Sequence, residues 1–427
     1  MSRRRSFRIP LFRILLTIFI LPFGFILFYY RATDGDAHYK PDQKEFRRIQ
    51  KSELPILLKG KNLINSTDQS FDVTIQGNSF HIHTSLDPSL QKYLHQQLNR
   101  STSRHIGIVV MEPSTGRILS MVGYDKADQK NNPCLDNRYP AASIFKIVTA
   151  AAAVETHGFQ ADSVFDYNGS KYTLYRNQLK DRRNRHTHRI NLEDSFAQSV
   201  NPVFGKIGAN QLGKTVLEKY GDAFGFNRSI DFELPLTPSE LHLTDEPYQW
   251  AEVASGFNRE TTLSPLHGAI MVSAILNGGK MMEPALIDKV EDDEGRVVYQ
   301  NRPVYLNQVI EPETSQVVNR LMQATVESGT SRKAFRGHHK DRVLSKLIIG
   351  GKTGSINNES QDTRYDWFVG FAKEKEGSKE LVISILVAHK KYIDIRASRY
   401  AKMAIKRHFQ DYFSRDIAKS EKRRNSS

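Results

Sequence analysis

The stretch AASIFKIVTAAAAVE, residues 141–155, decides how the rest of the chain is read. A polar loop, DQKNNPCLDN, precedes it, and an apolar helical run starts at about Ser143 and continues through Glu155. Ser143-Ile144-Phe145-Lys146 has the form S-x-x-K, so a helix beginning there places the serine and the lysine on one face. A helix N-terminus also favours negative charge developing on the serine. A lysine kept neutral by its surroundings can accept the serine proton, whereas an exposed, charged one cannot. Taken alone the pair is weak, because serine and lysine three apart recur by chance.

Upstream, IGIVVMEPSTGRILSMVGY from Ile106 to Tyr124 consists of two β-rich runs joined by Pro113-Ser114-Thr115-Gly116, which reads as a hairpin. Before it, Leu90, Tyr93, Leu94 and Leu98 recur at the spacing of a helix packed by one face. Downstream, helices are expected at about 192–212, 262–276 and 311–327, and strands at about 366–373 and 380–388. A final periodic helix covers Ala397 to Phe413, and the basic tail 414–427 is expected to fray. One hairpin, a mainly helical middle at about 155–260, two strands and a closing helix fit an α+β fold. In it, helices inserted between strands leave one antiparallel sheet, in preference to repeated βαβ units.

Two further short elements accompany Ser143. Ser199-Val200-Asn201 has the form S-x-N, and Lys352-Thr353-Gly354 follows, with Ser355 after it. S-x-x-K, S-x-N and K-T-G in this order form one acyl-transfer set. The joint signal is strong where each part is weak.

On these motifs the chain resembles the transpeptidase domain of penicillin-binding proteins, which is related to serine β-lactamases. The likeness covers about residues 78–390. VVMEPSTGRILSMV at 109–122 resembles the opening sheet segment, ASGFNRETTLSPLHGAIMVSAILNGG at 254–279 the Gly-rich turn before a helix start, and RYDWFVGFA at 364–372 the strand after K-T-G. Two departures are Ala141-Ala142, where the family often has Pro-Gly, and Ser355, where Thr is usual. The resemblance implies a five-stranded antiparallel sheet flanked by helices, a mainly helical subdomain and a domain over 76–413.

It also implies roles. Ser143 attacks a D-alanyl-D-alanine stem peptide, with β-lactams as covalent inhibitors, and Lys146 is the base. Ser199 relays a proton toward the leaving amine, Lys352 sets the field around it, and Asn201 orients Lys146 and holds a substrate amide. The amides of Ser143 and Ser355 form an oxyanion hole. Thr353, Gly354 and Ser355 hold the terminal carboxylate. No cofactor is implied.

The N-terminus supplies a location. Residues 1–8, MSRRRSFR, are basic, and residues 9–30 are apolar apart from Arg13, with Ile14 to Tyr30 uncharged. At ~1.5 Å per residue, the run is long enough for a ~30 Å hydrocarbon core. Arg3, Arg4, Arg5 and Arg8 favour a cytoplasmic N-terminus, Arg13 can snorkel, and Tyr29 and Tyr30 suit the far interface. The expectation is a single-pass signal anchor in a bacterial cytoplasmic membrane, a stalk at 31–75 and a catalytic domain outside. A cleaved signal is the competing reading, disfavoured by the lack of an A-x-A site before RATDGD.

Sixty-one Lys and Arg against 47 Asp and Glu give a formal charge of +14, which suits an anionic surface. With the domain outside the cytoplasm, nucleic acid is not an expected partner. Cys134 is the sole cysteine, so no intrachain disulfide can form, and it reads as an incidental thiol. His81 with His83 and His186 with His188 lack a third ligand at recognisable spacing, so no metal is expected. Trp367 and Phe368 read as core residues beneath the site.

The roughly 75 residues before the first family-like segment are too few for a glycosyltransferase or large pedestal domain. A monofunctional enzyme is therefore expected, served by a separate glycosyltransferase or cell-wall synthesis complex. The motifs do not separate a D,D-transpeptidase from a D,D-carboxypeptidase. A β-lactamase would need an activated water, for which Glu240 is the nearest candidate. A non-catalytic wall-binding protein is opposed by the intact Ser143, Lys146 and Lys352.

Overall fold

The computed structural model describes residues 48–390 and 392–425, with side chains through residue 416. The first 47 residues, including the expected anchor, lie outside the described residues; among the described ones no helix is long and apolar enough to cross a membrane.

At the centre is a five-stranded antiparallel sheet. Its strands are β1 (Ser103–Met111), β2 (Ile118–Asp125), β3 (Leu347–Asn357), β4 (Arg364–Glu374) and β5 (Glu380–His389), in the spatial order β3-β4-β5-β1-β2. The expected hairpin is β1-β2. The two expected late strands are β4 and β5, each slightly longer than the apolar run that signalled it. The chain leaves the sheet after β2 and returns at β3, so more than 220 residues are inserted between neighbours in sequence but not in space.

Alternation of side chains gives the sheet two apolar faces. Ile106, Ile108 and Val110 of β1, with Phe368 of β4 and Ile383 and Ile385 of β5, pack against α1 (Pro88–Gln97) and α8 (Ala397–Asn425). Val109, Met111, Trp367, Val369 and Leu386 face the other way, toward α6 (Pro265–Leu276). Buried on every side, α6 is apolar all round, and Ser264 caps it by accepting a hydrogen bond from the His267 amide. Gly268 lets α6 lie close to the sheet; a Cβ there would stand 2.6 Å from Ser384 Oγ.

Three readings need correction. Residues 48–75 are not a stalk but part of the folded unit that starts at Arg48. Leu54, Leu57, Leu58 and Leu63 are buried, and Ser70–Ile75 pairs antiparallel with Asn78–Thr84 in a second sheet completed by Ile287–Asp292 and Val297–Gln300. Just before the apolar run at 54–58, Lys51 pairs with Glu283, more than 200 residues away, which no local pattern announces. Second, the helix expected over 192–212 is broken into α3 (Leu192–Ala197), α4 (Asn201–Lys206) and a π-helical stretch at Ile207–Leu212. Third, α8 continues past Phe413 to Asn425.

Candidate active site

Ser143 lies in a tight turn, Ala142–Phe145, that runs directly into α2 (Lys146–His157). Ala142 has φ 49°, in the left-handed region, so this alanine holds a conformation that costs about 1 kcal/mol in any residue with a Cβ. Gly256, just after α5 (Pro247–Ser255), presses on the same turn: a Cβ there would sit 1.9 Å from the Ala142 carbonyl oxygen. That contact and its φ of 65° make glycine the fitting residue.

Lys146 is fully buried, and desolvation, helped by the charge of Lys352, holds its ammonium pKa well below the usual lysine value. Its Nζ meets three oxygens: Ser143 Oγ at 2.8 Å, Asn201 Oδ1 at 2.8 Å and the Ser255 carbonyl at 2.5 Å. A neutral amine has two N–H bonds and one lone pair. The ammonium form donates to all three oxygens; once the proton is lost, the two carbonyls, which can only accept, hold the remaining N–H groups and the lone pair is left toward Ser143 Oγ. Asn201 is held in turn, since its Nδ2 donates to the Tyr172 carbonyl at 3.0 Å.

The break between α3 and α4 presents the S-x-N element. Ser199 has φ 59°, and this single left-handed residue turns the chain so that Ser199 and Asn201 reach the same cleft. Lys352 of β3, also fully buried, donates to Ser199 Oγ at 2.9 Å and to the Thr353 carbonyl at 2.8 Å. Burial pulls its pKa down to about 7. No carboxylate pairs with either lysine among the described residues; aromatic rings stand in, Phe204 5.6 Å from Lys146 Nζ and Phe196 5.5 Å from Lys352 Nζ.

Strand β3 passes tightly beside the serine turn. A Cβ on Gly354 would lie 3.2 Å from Ile144 and 3.3 Å from Ala142. Thr353 Oγ1 is 2.6 Å from Thr330 Oγ1, and Ser355 Oγ accepts from Arg364 Nε at 2.7 Å. Behind them Trp367, fully buried as its core reading required, donates to the Pro140 carbonyl at 2.9 Å and ties β4 to the loop before Ser143.

Ser143, Ser199, Asn201, Thr353, Gly354 and Ser355 therefore line one cleft, with Lys146 and Lys352 buried in its floor. Sequence reasoning missed the Ser255 carbonyl, Thr330 and Arg364. A backbone acceptor leaves no trace in residue identity, while the run Ser255-Gly256-Phe257-Asn258 was at least conspicuous. Glu240 stands apart: it does not line the cleft, and its carboxylate accepts from Asn137. Cys134 is buried, with its thiol pushed up to about 12, which suits an inert residue. Glu327, His338 and His339 bring ligand-type atoms within 4.8 Å of one another, a grouping not foreseen from the histidine spacings; none of the three lines the cleft.

Comparison with known proteins agrees with this geometry. Residues 106–409 match the family described as the penicillin binding protein transpeptidase domain. Stage V sporulation protein D of Bacillus subtilis is 27% identical over 352 residues, covering 77% of this chain and 52% of that protein. Penicillin-binding protein 1A of Neisseria lactamica is 29% identical over 279 residues, covering 62% of this chain and 30% of its own length. The chain thus spans about half, or less, of these curated relatives. Among solved structures, the D,D-transpeptidase domain of a peptidoglycan glycosyltransferase from Eggerthella lenta superposes with a TM-score of 0.64 at 25% identity, covering 78% of this chain and 83% of that one. The imipenem acyl-enzyme of penicillin-binding protein A from M. tuberculosis gives 0.61 at 20% identity over 77% of this chain and 79% of that one, and shares the fold. A matched domain of 304 residues, with a serine, a buried lysine and a K-T-G strand converging on one cleft, places this chain in the penicillin-binding-protein transpeptidase family.

Proposed function

We propose that the chain is a peptidoglycan D,D-transpeptidase that works through an acyl-enzyme on Ser143. The observation that carries this is the buried Lys146 Nζ, 2.8 Å from Ser143 Oγ and flanked by two carbonyl acceptors, the position from which its neutral form takes the serine proton. Ser143 Oγ attacks the carbonyl between the two D-alanines as Lys146 takes its proton. The backbone amides of Ser143 and Ser355 receive the oxyanion, a role supported by the close passage of Gly354 beside Ile144. Ser199, held by Lys352, delivers a proton to the departing D-alanine amine. Thr353 and Ser355 hold the terminal carboxylate, with Arg364 and Lys352 supplying positive charge nearby. An amine from a second stem peptide then takes the acyl group.

A hydrolytic β-lactamase is not favoured. Among the described residues, the carboxylates lining the cleft are Asp366 and Asp394. Asp366 accepts from the Ala397 amide and Arg396, and Asp394 from Asn99. The proposal includes the signal anchor at residues 9–30 and an extracytoplasmic catalytic domain. It also includes cooperation with a separate glycosyltransferase or cell-wall synthesis complex. Support for the location comes from the uncharged run Ile14 to Tyr30 behind a basic start.

A labelled penicillin tests the acyl-enzyme. Covalent labelling of the wild type and none of a folded Ser143→Ala variant is the expected result; an unlabelled, folded wild type would sink the reading. Supplying a D-Ala-D-Ala donor with an amine acceptor and separating the products then divides cross-linked dimers from simple hydrolysis.

A further inference from the structure

The cleft does not end at Ser355. It runs on past Arg364, between the segment carrying Lys333 and Arg336 and the first turns of α8, as far as Tyr93. Nine of its lining side chains are Lys or Arg and two are Asp, which are the Asp366 and Asp394 already engaged. Some of the cations are neutralised from outside: Lys406 by Asp341 and Arg407 by Asp411. Lys333, Arg336, Arg399 and Lys402 have no carboxylate partner in any ion pair among the described residues. Lys402 instead donates to the Arg336 carbonyl at 3.1 Å, which ties the two walls together. Like charges gathered in one groove repel one another, and an anion lying between them removes that cost.

Position says which molecule the groove serves. This step rests on the transpeptidase reading above. In that reading the carboxylate of the leaving D-alanine sits at Thr353 and Ser355, so whatever lies beyond it is on the leaving-group side of the scissile bond. The donor's remaining stem must extend the other way from Ser143. Microscopic reversibility brings the attacking amine in along the path by which the leaving amine departed. The basic extension begins at Ser355 and Arg364 and runs outward, so it faces that path.

We infer that the extension along Arg399 and Lys402 is the acyl-acceptor subsite, and that it selects an acceptor stem peptide bearing free carboxylates beside its amine. The transfer balances without a further reactant. The acceptor nitrogen forms a C–N bond to the acyl carbon, and the ester C–O bond to Ser143 Oγ breaks. The amine proton passes to the Ser143–Lys146 pair and restores the serine hydroxyl. An acceptor whose carboxylates are amidated keeps its nucleophile and loses its hold on the groove.

The test uses the full-length chain in detergent, a D-Ala-D-Ala donor peptide, and two amine-bearing tripeptides that differ only in free or amidated carboxylates. The ratio of transfer to hydrolysis is measured for each. The free-acid acceptor is expected to give a ratio at least about fivefold higher at low salt, shrinking toward unity as ionic strength approaches ~0.5 M. In an Arg399→Gln, Lys402→Gln double variant the preference should fall below about twofold, while Arg399→Lys should retain most of it. Equal ratios for the two acceptors in the wild type, or an undiminished preference in the double variant, would overturn the inference. Labelling by penicillin, which needs no acceptor, is read on the same preparations. Labelled protein without acceptor preference defeats only the subsite, whereas unlabelled wild-type protein defeats the transpeptidase reading and the subsite with it.

Discussion

The floor and the rim of the cleft are both built from basic side chains, and they do opposite work. On the floor, Lys146 and Lys352 are fully buried, meet carbonyl and hydroxyl oxygens, and have lowered pKa values. On the rim, Lys333, Arg336 and Arg399 are exposed to water. The difference lies in solvent, not in residue type. Removing water turns a lysine into a base or a titratable field; leaving it in water makes a steering charge.

The sharpest way to break this comparison is to make the floor obey the rim's chemistry. Lys146→Arg keeps a cation and a donor but cannot release its proton, so labelling by penicillin should fall by about 10³-fold or more, comparable to about 4 kcal/mol of barrier. Retention of a tenth of the wild-type rate would remove Lys146 as the base. Gly256→Ala forces a Cβ onto the Ala142 carbonyl and should destabilise the protein by about 3 kcal/mol or more, read as a lowered denaturation midpoint.

The second floor lysine sharpens the contrast through pH. Its pKa of about 7 means Lys352 carries charge below that value and loses it above. The acylation rate should therefore decline as pH rises through about 7, and Lys352→Ala should lower it by about 10²-fold and erase that limb. A rate that climbs steadily to pH 9 would show that the charge is not required. The rim should respond to salt instead. Raising ionic strength from ~0.05 to ~0.5 M should slow the second-order capture of an anionic penicillin by a few-fold, with the saturated rate unchanged. Smallest of all, Ala142→Gly relieves a left-handed alanine and should raise stability by about 0.5 kcal/mol after the entropy cost of glycine, seen as a small upward shift in Tm.

Much of this site was legible because its chemistry is written in side chains. Ser143 and Lys146 share a turn, so their proximity follows from spacing alone. Ser199 did not advertise its geometry: an unbroken helix over 192–212 fits the local pattern, and the break depends on one residue adopting φ 59° under tertiary constraint. The Ser255 carbonyl, which accepts from Lys146 Nζ, could not be read from any residue type. Residues 48–75 were misread for a related reason. Ser70–Ile75 pairs with Asn78–Thr84, which in turn pairs with the distant Ile287–Asp292, and Ile49 donates to the Val298 carbonyl; the chain near these residues does not record the distant strands.

The sequence by itself determined the reaction class. An ordered S-x-x-K, S-x-N and K-T-G, with a sheet hairpin before and two strands after, leave few other chemistries. Tertiary structure decided the burial of Lys146 and Lys352, the turn at Ser199 and the gathering along α8 of cations without a carboxylate partner among the described residues. These depend on water being excluded from one part of the cleft and admitted to another. Solvent exclusion is a property of packed surfaces drawn from distant segments, and no local pattern of residues carries it.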